Sequence, residues 1–123
     1  MTDQPLSNLD VLILEDEPLV SMMTEDMVTD LGGRVVGPFS RLDALVRHMQ
    51  GDAACDLALL DINVNGERST TIAGLLRDRN IPIIFCTGYD DAGIAEEWRN
   101  VPRLRKPFSD ADLMRATSEA LGK

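Results

Sequence analysis

The chain of 123 residues carries 12 basic and 21 acidic side chains, a formal net charge of −9, and 44% hydrophobic residues. This length predicts one compact domain over 1–123, and the apolar content excludes an intrinsically disordered chain. The acidic balance argues against direct nucleic-acid binding, because phosphate contacts need clustered Lys and Arg. No apolar run approaches the ~18–20 residues of a membrane span. We therefore expect a cytoplasmic protein without a membrane segment, with Cys55 and Cys86 reduced in the core.

Five short apolar runs predict β-strands. The first, third and fourth runs are continuous rather than alternating, which is typical of parallel strands covered on both faces. The runs span 11–14, 34–37, 57–60, 81–85 and, weakly, 103–104.

Helical spacing of apolar residues lies between and after these runs, at about 18–31, 40–49, 69–79, 91–98 and 109–121. The first helix has its apolar positions at Leu19, Val20, Met23, Met27, Val28 and Leu31. We expect Met22, Met23 and Met27 to pack in the core and on the face of this helix. Trp98 is expected to be partly exposed. The alternation of strands and helices predicts an α/β domain, a doubly wound parallel sheet with helices on both faces.

Polar residues with complementary chemistry follow four of the five predicted strands. In open α/β sheets, sites form outside the carboxyl ends of the strands, so these residues should meet at one rim. They are Glu15, Asp16 and Glu17 after the first run, Asp61 and Asn63 after the third, Thr87 after the fourth, and Lys106 after the fifth.

Such a rim needs a counter-charge, because two carboxylates about 4 Å apart repel by roughly 4 kcal/mol at an effective dielectric of 20. Oxygen ligands of this kind suit Mg²⁺, which prefers a few carboxylates together with phosphate oxygens. An aspartate such as Asp61 can act as a nucleophile and form an aspartyl phosphate. Lys106 and Thr87 could stabilise charge on the phosphoryl oxygens. The pattern indicates phosphoryl transfer.

Four motifs carry a resemblance that covers the whole chain. VLILEDEP, LALLDINVNGE, PIIFCTGY and RKPF contain the rim residues in order, and together they resemble the receiver domain of response regulators in two-component signalling. The resemblance implies a (βα)5 flavodoxin-like fold with a five-stranded sheet. It also implies a stand-alone response regulator without an output domain, which catalyses only its own phosphorylation and dephosphorylation and is otherwise not an enzyme.

Residue by residue, the resemblance implies that Asp61 is the phosphoacceptor. Mg²⁺ would be held by Glu15, Asp16, Asp61 and the backbone carbonyl of Asn63. Thr87 would move toward the phosphoryl group and Lys106 would pair with it, while Asn63 and Tyr89 would tune the rate of dephosphorylation.

The partners follow from the same resemblance. The phosphodonor would be a sensor histidine kinase or a histidine phosphotransfer protein, and a downstream protein would dock on about 90–121. FCTGY and PRLRKPF are similar to an atypical subgroup with a Phe-Ala-Thr-Gly-Tyr-like motif, which is often paired with kinases of the HWE class. Arg103 stands where the family usually has Tyr or Phe, so we expect switching through reordering of 88–103. Phosphate-sink and phosphorelay roles both stay open, as do a monomer and a phosphorylation-dependent dimer.

Two alternatives belong to other classes. A magnesium-dependent phosphatase of the haloacid-dehalogenase type needs a second Asp two residues after its nucleophile, whereas Asn63 follows Asp61 here. A receiver-like module that only binds partners would have lost an acidic, Asp or Lys position, and none is lost.

Overall fold

The structure is a computed structural model that describes residues 6–51, 54–88 and 96–122. Within these ranges it contains seven strands, four α-helices and a 3₁₀ turn at Glu96–Trp98. The strands are β1 (Asp10–Leu14), β2 (Arg34–Phe39), β3 (Leu57–Asp61), β4 (Asn63–Val64), β5 (Glu67–Arg68), β6 (Ile83–Thr87) and β7 (Arg103–Arg105). The helices are α1 (Pro18–Asp30), α2 (Leu42–Met49), α3 (Thr70–Asp78) and α4 (Asp110–Leu121).

Five of the strands form one parallel sheet in the order β2-β1-β3-β6-β7. The predicted doubly wound parallel sheet is therefore confirmed. β3 is central and buried at all five positions, which explains why its sequence is a continuous apolar run rather than an alternating one. The chain turns to opposite sides of the sheet after β1 and after β3, so the strand order reverses between them and leaves a crevice at their carboxyl ends.

Helices cover both faces of the sheet, as predicted. Alternate residues of each strand face opposite layers: on β1, Leu12 and Leu14 pack with α2 and α3, whereas Val11 and Ile13 pack with α1 and α4. The two apolar layers hold the strands in a fixed register, because a shift of one residue would turn every core side chain toward the wrong layer.

The predicted inner face of α1 is partly wrong. Leu19 is 75% exposed, and Met22 and Met23 are also exposed, whereas the buried helical positions are Ser21, Thr24 and Val28. The buried face of the helix thus includes the small side chains of Ser21 and Thr24, whereas the long side chains of Leu19, Met22 and Met23 point to solvent. The exposed methionines therefore do not form the core packing that the sequence predicted.

The segment after β6 also differs from expectation. The predicted helix at about 91–98 corresponds, within the described residues, to the 3₁₀ turn at its end; 89–95 lie outside them. Trp98 is only 2% exposed, not partly exposed as predicted. Its ring meets Phe85 edge-on at 5.8 Å, and the Arg77 guanidinium lies 4.2 Å above its centroid. These contacts anchor the 3₁₀ turn to β6 and α3.

A small antiparallel hairpin was not predicted. β4 and β5 pair through Asn63 with Arg68 and Val64 with Glu67. The turn residues Asn65 and Gly66 both have positive φ, at 53° and 82°, as an Asn-Gly hairpin turn requires.

The cysteines are unpaired by disulfides, with Cys86 buried and Cys55 only half-buried. Burial raises the pKa of Cys55 to about 11, so its thiol stays neutral at pH 7. The core position predicted for Cys55 is only partly realised.

The two edge strands of the sheet have features that disfavour further pairing. β2 contains Pro38, and its register with β1 shifts between Leu12 and Leu14. β7 has three residues, of which Arg103 and Arg105 are exposed and Leu104 is buried.

Each of the helices that the structure describes is too short or too polar to cross a membrane.

Candidate functional site

Lys106 lies at the centre of the site, in the crevice where β1 and β3 end. Its Nζ is 3.2 Å from Glu15 Oε1, 3.2 Å from Asp61 Oδ2 and 3.3 Å from Glu17 Oε1. The lysine follows β7, and its backbone N–H donates to the Thr87 carbonyl at 2.8 Å. This bond ties the lysine to the end of β6, so the parallel strands fix both the ammonium and the carboxylates that surround it.

Four carboxylates gather around this ammonium. Glu15, Asp16, Glu17 and Asp61 each offer an oxygen, and these atoms all lie within 4.8 Å of one another. Glu15 and Asp61 are buried, at 5% and 3% exposed. One ammonium cannot neutralise four carboxylates, and an all-oxygen donor set suits a hard divalent cation such as Mg²⁺. The residues present therefore fit the predicted metal.

The electrostatics of Asp61 follow from this crowding. Burial raises the pKa of Asp61 to about 7, the Glu15 carboxylate adds to the rise, and Lys106 opposes it. For Lys106, burial alone would lower the pKa of the ammonium, but the carboxylates of Asp61 and Glu15 outweigh it and raise that pKa. The site thus holds a firmly protonated lysine beside a carboxylate that is costly to ionise without further positive charge.

Asp16 is held from the opposite side of the site. Its Oδ2 accepts a hydrogen bond from the backbone N–H of Asn65 at 2.8 Å, and the Asn65 side chain donates to the Ser40 carbonyl at 3.0 Å. The β4–β5 hairpin thereby positions one of the candidate metal ligands. This contribution was not predicted, although the Asn-Gly pair in LALLDINVNGE is a hairpin signal.

Thr87 is the last residue of β6 and is half-buried. Its Oγ1 donates to the Leu104 carbonyl at 3.4 Å, so in this conformation the hydroxyl contacts β7. To contact a phosphoryl group, as predicted, Thr87 must exchange this bond to Leu104 for one to a phosphoryl oxygen.

The predicted site residues come together only in part. Asp61, Lys106, Glu15 and Asp16 form one cluster, and Glu17 joins it although it was not predicted as a ligand. Asn63 lies two residues beyond Asp61 at the start of β4. Tyr89 lies outside the described residues.

An apolar groove of about 240 Å³ opens beside the cluster. It runs between α1 and the β7–α4 connection, and its walls include Glu17, Met23, Lys106, Pro107 and Phe108. The groove gives the crevice a route to solvent along α1.

This fold and this crevice together define a signalling domain of the receiver class. The family described as the response regulator receiver domain matches residues 11–118, and the chain belongs to it. Phosphorylation by a histidine kinase is the general behaviour of this family, and its members generally bind Mg²⁺ at an acidic pocket. The resemblance stated from the motifs is confirmed.

Individual relatives are similar over nearly the whole chain. A solution structure of SdrG from Sphingomonas melonis Fr1 is 35% identical, with a TM-score of 0.83, over 98% of this chain and 99% of that one. The BeF3-activated conformation of SdrG (source given as Pseudomonas melonis Fr1) is 34% identical, with a TM-score of 0.78, over the same shares. The phyllosphere-induced regulator PhyR of Methylorubrum extorquens is 32% identical over 116 residues, which are 91% of this chain and 43% of that protein. The chain thus spans less than half the length of this curated relative.

Proposed function

We propose that this chain is a response regulator receiver that accepts a phosphoryl group from a phosphohistidine onto Asp61 in a magnesium-dependent reaction. The observation that carries the proposal is the buried Asp61 carboxylate, whose Oδ2 lies 3.2 Å from Lys106 Nζ among the carboxylates of Glu15 and Asp16. The donor set supports Glu15, Asp16 and Asp61 as metal ligands, together with the backbone carbonyl of Asn63. Mg²⁺, when bound, would supply positive charge to the phosphoryl oxygens.

The transfer is a single displacement at phosphorus. A carboxylate oxygen of Asp61 forms a bond to phosphorus, and the P–N bond to the donor histidine breaks with its electron pair staying on the imidazole nitrogen. Lys106 holds a fixed positive charge beside the acceptor, and its raised pKa keeps that charge through neutral pH. Hydrolysis later returns inorganic phosphate and Asp61. The chain catalyses only these steps on itself and is otherwise not an enzyme.

Phosphorylation signals by favouring one conformation over another. It adds about −1.5 to −2 charges to the crevice, and Thr87 exchanges its bond to Leu104 for one to the phosphoryl group. Arg103 is exposed on β7, where the family usually has an aromatic residue, so the change passes through 88–103. Backbone NMR with and without beryllofluoride tests this step, and unchanged shifts over 88–103 contradict it.

The output is an interaction with another protein through about 90–121. Within the described residues this surface consists of the exposed side chains of β7 and α4, whereas Trp98 is buried beneath it. The donor is a sensor kinase, and the FCTGY motif, which resembles that of the atypical subgroup, supports one of the HWE class. A sink that drains a kinase and a relay intermediate are two forms of this proposal. Phosphotransfer time courses with a second receiver present separate them, because only a relay intermediate passes the group onward.

The deciding experiment is the intact-protein mass after incubation with acetyl phosphate, with and without Mg²⁺. We compare wild type, Asp61→Asn and the matched control Asp26→Asn, which removes a charge from the exposed surface of α1. We expect wild type and the control to gain one phosphoryl mass, and this gain should require Mg²⁺. Asp61→Asn should show no gain. No gain in wild type, either here or with a phosphorylated HWE kinase, would refute the phosphoacceptor assignment and favour a module that only binds partners.

A further inference from the structure

Lys106 already uses its full hydrogen-bonding capacity in the described structure. An ammonium has three N–H donors, and Nζ has three carboxylate partners at 3.2–3.3 Å, on Glu15, Glu17 and Asp61. A phosphoryl group on Asp61 that is to pair with Lys106 must therefore take the place of one of these partners.

The three carboxylates differ in how easily each can give up its hydrogen bond to Lys106. Glu15 is buried in the crevice, and a charged carboxylate that loses its partner there pays a large desolvation cost. Asp61 loses its charge when it is phosphorylated, but it is joined to the phosphoryl group and stays in the crevice. The Glu17 side chain is 63% exposed, so water can solvate its carboxylate as soon as it swings away. Glu17 also precedes α1 without making a side-chain hydrogen bond to the helix end, so the helix does not hold the carboxylate in place.

We propose that Glu17 is a positioning residue that occupies the third donor of Lys106 until an incoming phosphoryl group displaces it. The inference rests on the proposed phosphorylation of Asp61. In the unphosphorylated state Glu17 holds the ammonium at the mouth of the crevice. When the phosphoryl group arrives, Glu17 releases Lys106 and turns toward solvent.

This exchange makes Glu17 a filter on the charge of the phosphodonor. Its carboxylate lines the mouth of the groove beside Lys106, so a donor with a dianionic phosphoryl group meets both repulsion and competition there. A donor with less negative charge meets weaker repulsion. The effect should be modest, because a solvated ion pair is screened by water and salt.

The kinetic test compares Glu17→Gln with wild type and with Asp26→Asn, which removes the same charge from α1 away from the cluster. Initial rates of Asp61 phosphorylation are measured at saturating Mg²⁺ and low salt with acetyl phosphate and with phosphoramidate, which carries less negative charge at pH 7. We expect Glu17→Gln to react about two- to fivefold faster with acetyl phosphate, as befits an exposed ion pair, and to gain less with phosphoramidate. Asp26→Asn should react like wild type with both.

A second measurement addresses the contact itself without metal or phosphodonor. The chain has only two lysines, Lys106 and Lys123, so ¹⁵N-lysine NMR shows two side-chain ammonium groups. We expect faster hydrogen exchange at Lys106 Nζ in Glu17→Gln than in wild type or Asp26→Asn, because one charged acceptor is lost. The Lys123 signal is the internal control.

The outcomes separate this inference from the function on which it rests. If wild type accepts no phosphoryl group, the proposed function and the inference both fail. If wild type is phosphorylated but Glu17→Gln matches Asp26→Asn in rate and in Lys106 exchange, only the inference fails. If Glu17→Gln binds Mg²⁺ tenfold more weakly and reacts more slowly at saturating Mg²⁺, Glu17 is a metal ligand and the inference is overturned.

Discussion

The metal-free protein should become more stable when Asp61 loses its charge. Asp61→Asn keeps the size and planarity of the side chain but removes one carboxylate from a cluster that includes Glu15, Asp16 and Glu17. The raised pKa of Asp61 means that its surroundings, including the attraction of Lys106, still favour the neutral form overall. We therefore expect the neutral amide to fit better than the ionised carboxylate at pH 8.

The size of the effect follows from the change in pKa. The pKa of Asp61 rises from 3.8 to about 7 on folding. At about 1.4 kcal/mol for each pH unit, this rise limits the gain in the free energy of unfolding to about 4 kcal/mol. The crevice opens to solvent along the α1 groove, so screening by water lowers this value. We expect Asp61→Asn to raise the free energy of unfolding by about 1–3 kcal/mol at pH 8.

The sign of the pH dependence can be derived from the same values. Between pH 3.8 and about 7 the folded protein keeps a proton on Asp61 that the unfolded chain has released, so the stability of wild type falls as pH rises through this window. Asparagine cannot titrate. The advantage of the variant should therefore grow up to about pH 7, stay constant above it, and be about half its full size near pH 5.5.

Urea denaturation followed by circular dichroism, from pH 5.5 to 8.5 in a chelating buffer, measures this difference. When Mg²⁺ is added at a free concentration of about ten times its dissociation constant, it should stabilise wild type by about 1.4 kcal/mol and Asp61→Asn by less. The difference in stability between the two proteins should therefore become smaller. Asp26→Asn is the control for a general change in net charge. A variant that is less stable than wild type at pH 8 without metal, or an advantage that shrinks as pH rises, would refute the reasoning.

Three further predictions concern single side chains. Lys106→Met should lower the free energy of unfolding by about 3–5 kcal/mol at neutral pH, because it leaves buried carboxylates unpaired. In urea denaturation, adding Asp61→Asn should recover part of this loss. An equal loss with and without Asp61→Asn would contradict the pairing argument. Trp98→Ala should cost about 3–5 kcal/mol by thermal or urea unfolding, whereas a loss below about 1 kcal/mol would show that the 3₁₀ turn is weakly anchored. Ser109→Ala should cost about 1 kcal/mol, since its side chain accepts from the Asp112 backbone N–H at the start of α4, and an unchanged unfolding midpoint would argue against the cap.

The sheet and the main site residues could be predicted because their signals are local. β1, β3 and β6 are short and buried on both faces, which makes them continuous apolar runs. The carboxyl ends of parallel strands share one rim, so residues distant in sequence could be assigned to one place. Asp61 and Lys106 meet at 3.2 Å across 45 residues of chain for this reason.

The features that were missed depend on tertiary packing. The apolar spacing of α1 shows which residues could be buried, but the orientation of the helix on the sheet buries Ser21 and Thr24 instead of Leu19 and Met23. Trp98 is buried because Phe85 and Arg77 lie beside it, and neither contact is visible in the sequence around residue 98. Glu17 was expected at the rim, but its ion pair with Lys106, 89 positions away, was not predicted.

The edges of the sheet bear on how this protein behaves at high concentration. An open sheet leaves one row of backbone donors and acceptors along each outermost strand, where a second molecule could add its own strand. On β2, Pro38 removes a donor and the register shift interrupts the row. On β7, three residues offer few bonds, and the exposed Arg103 and Arg105 would place like charges together in a β7–β7 pair. Self-assembly by strand addition is thus disfavoured at both ends, so any dimer that phosphorylation induces should form through side-chain surfaces rather than by extending the sheet.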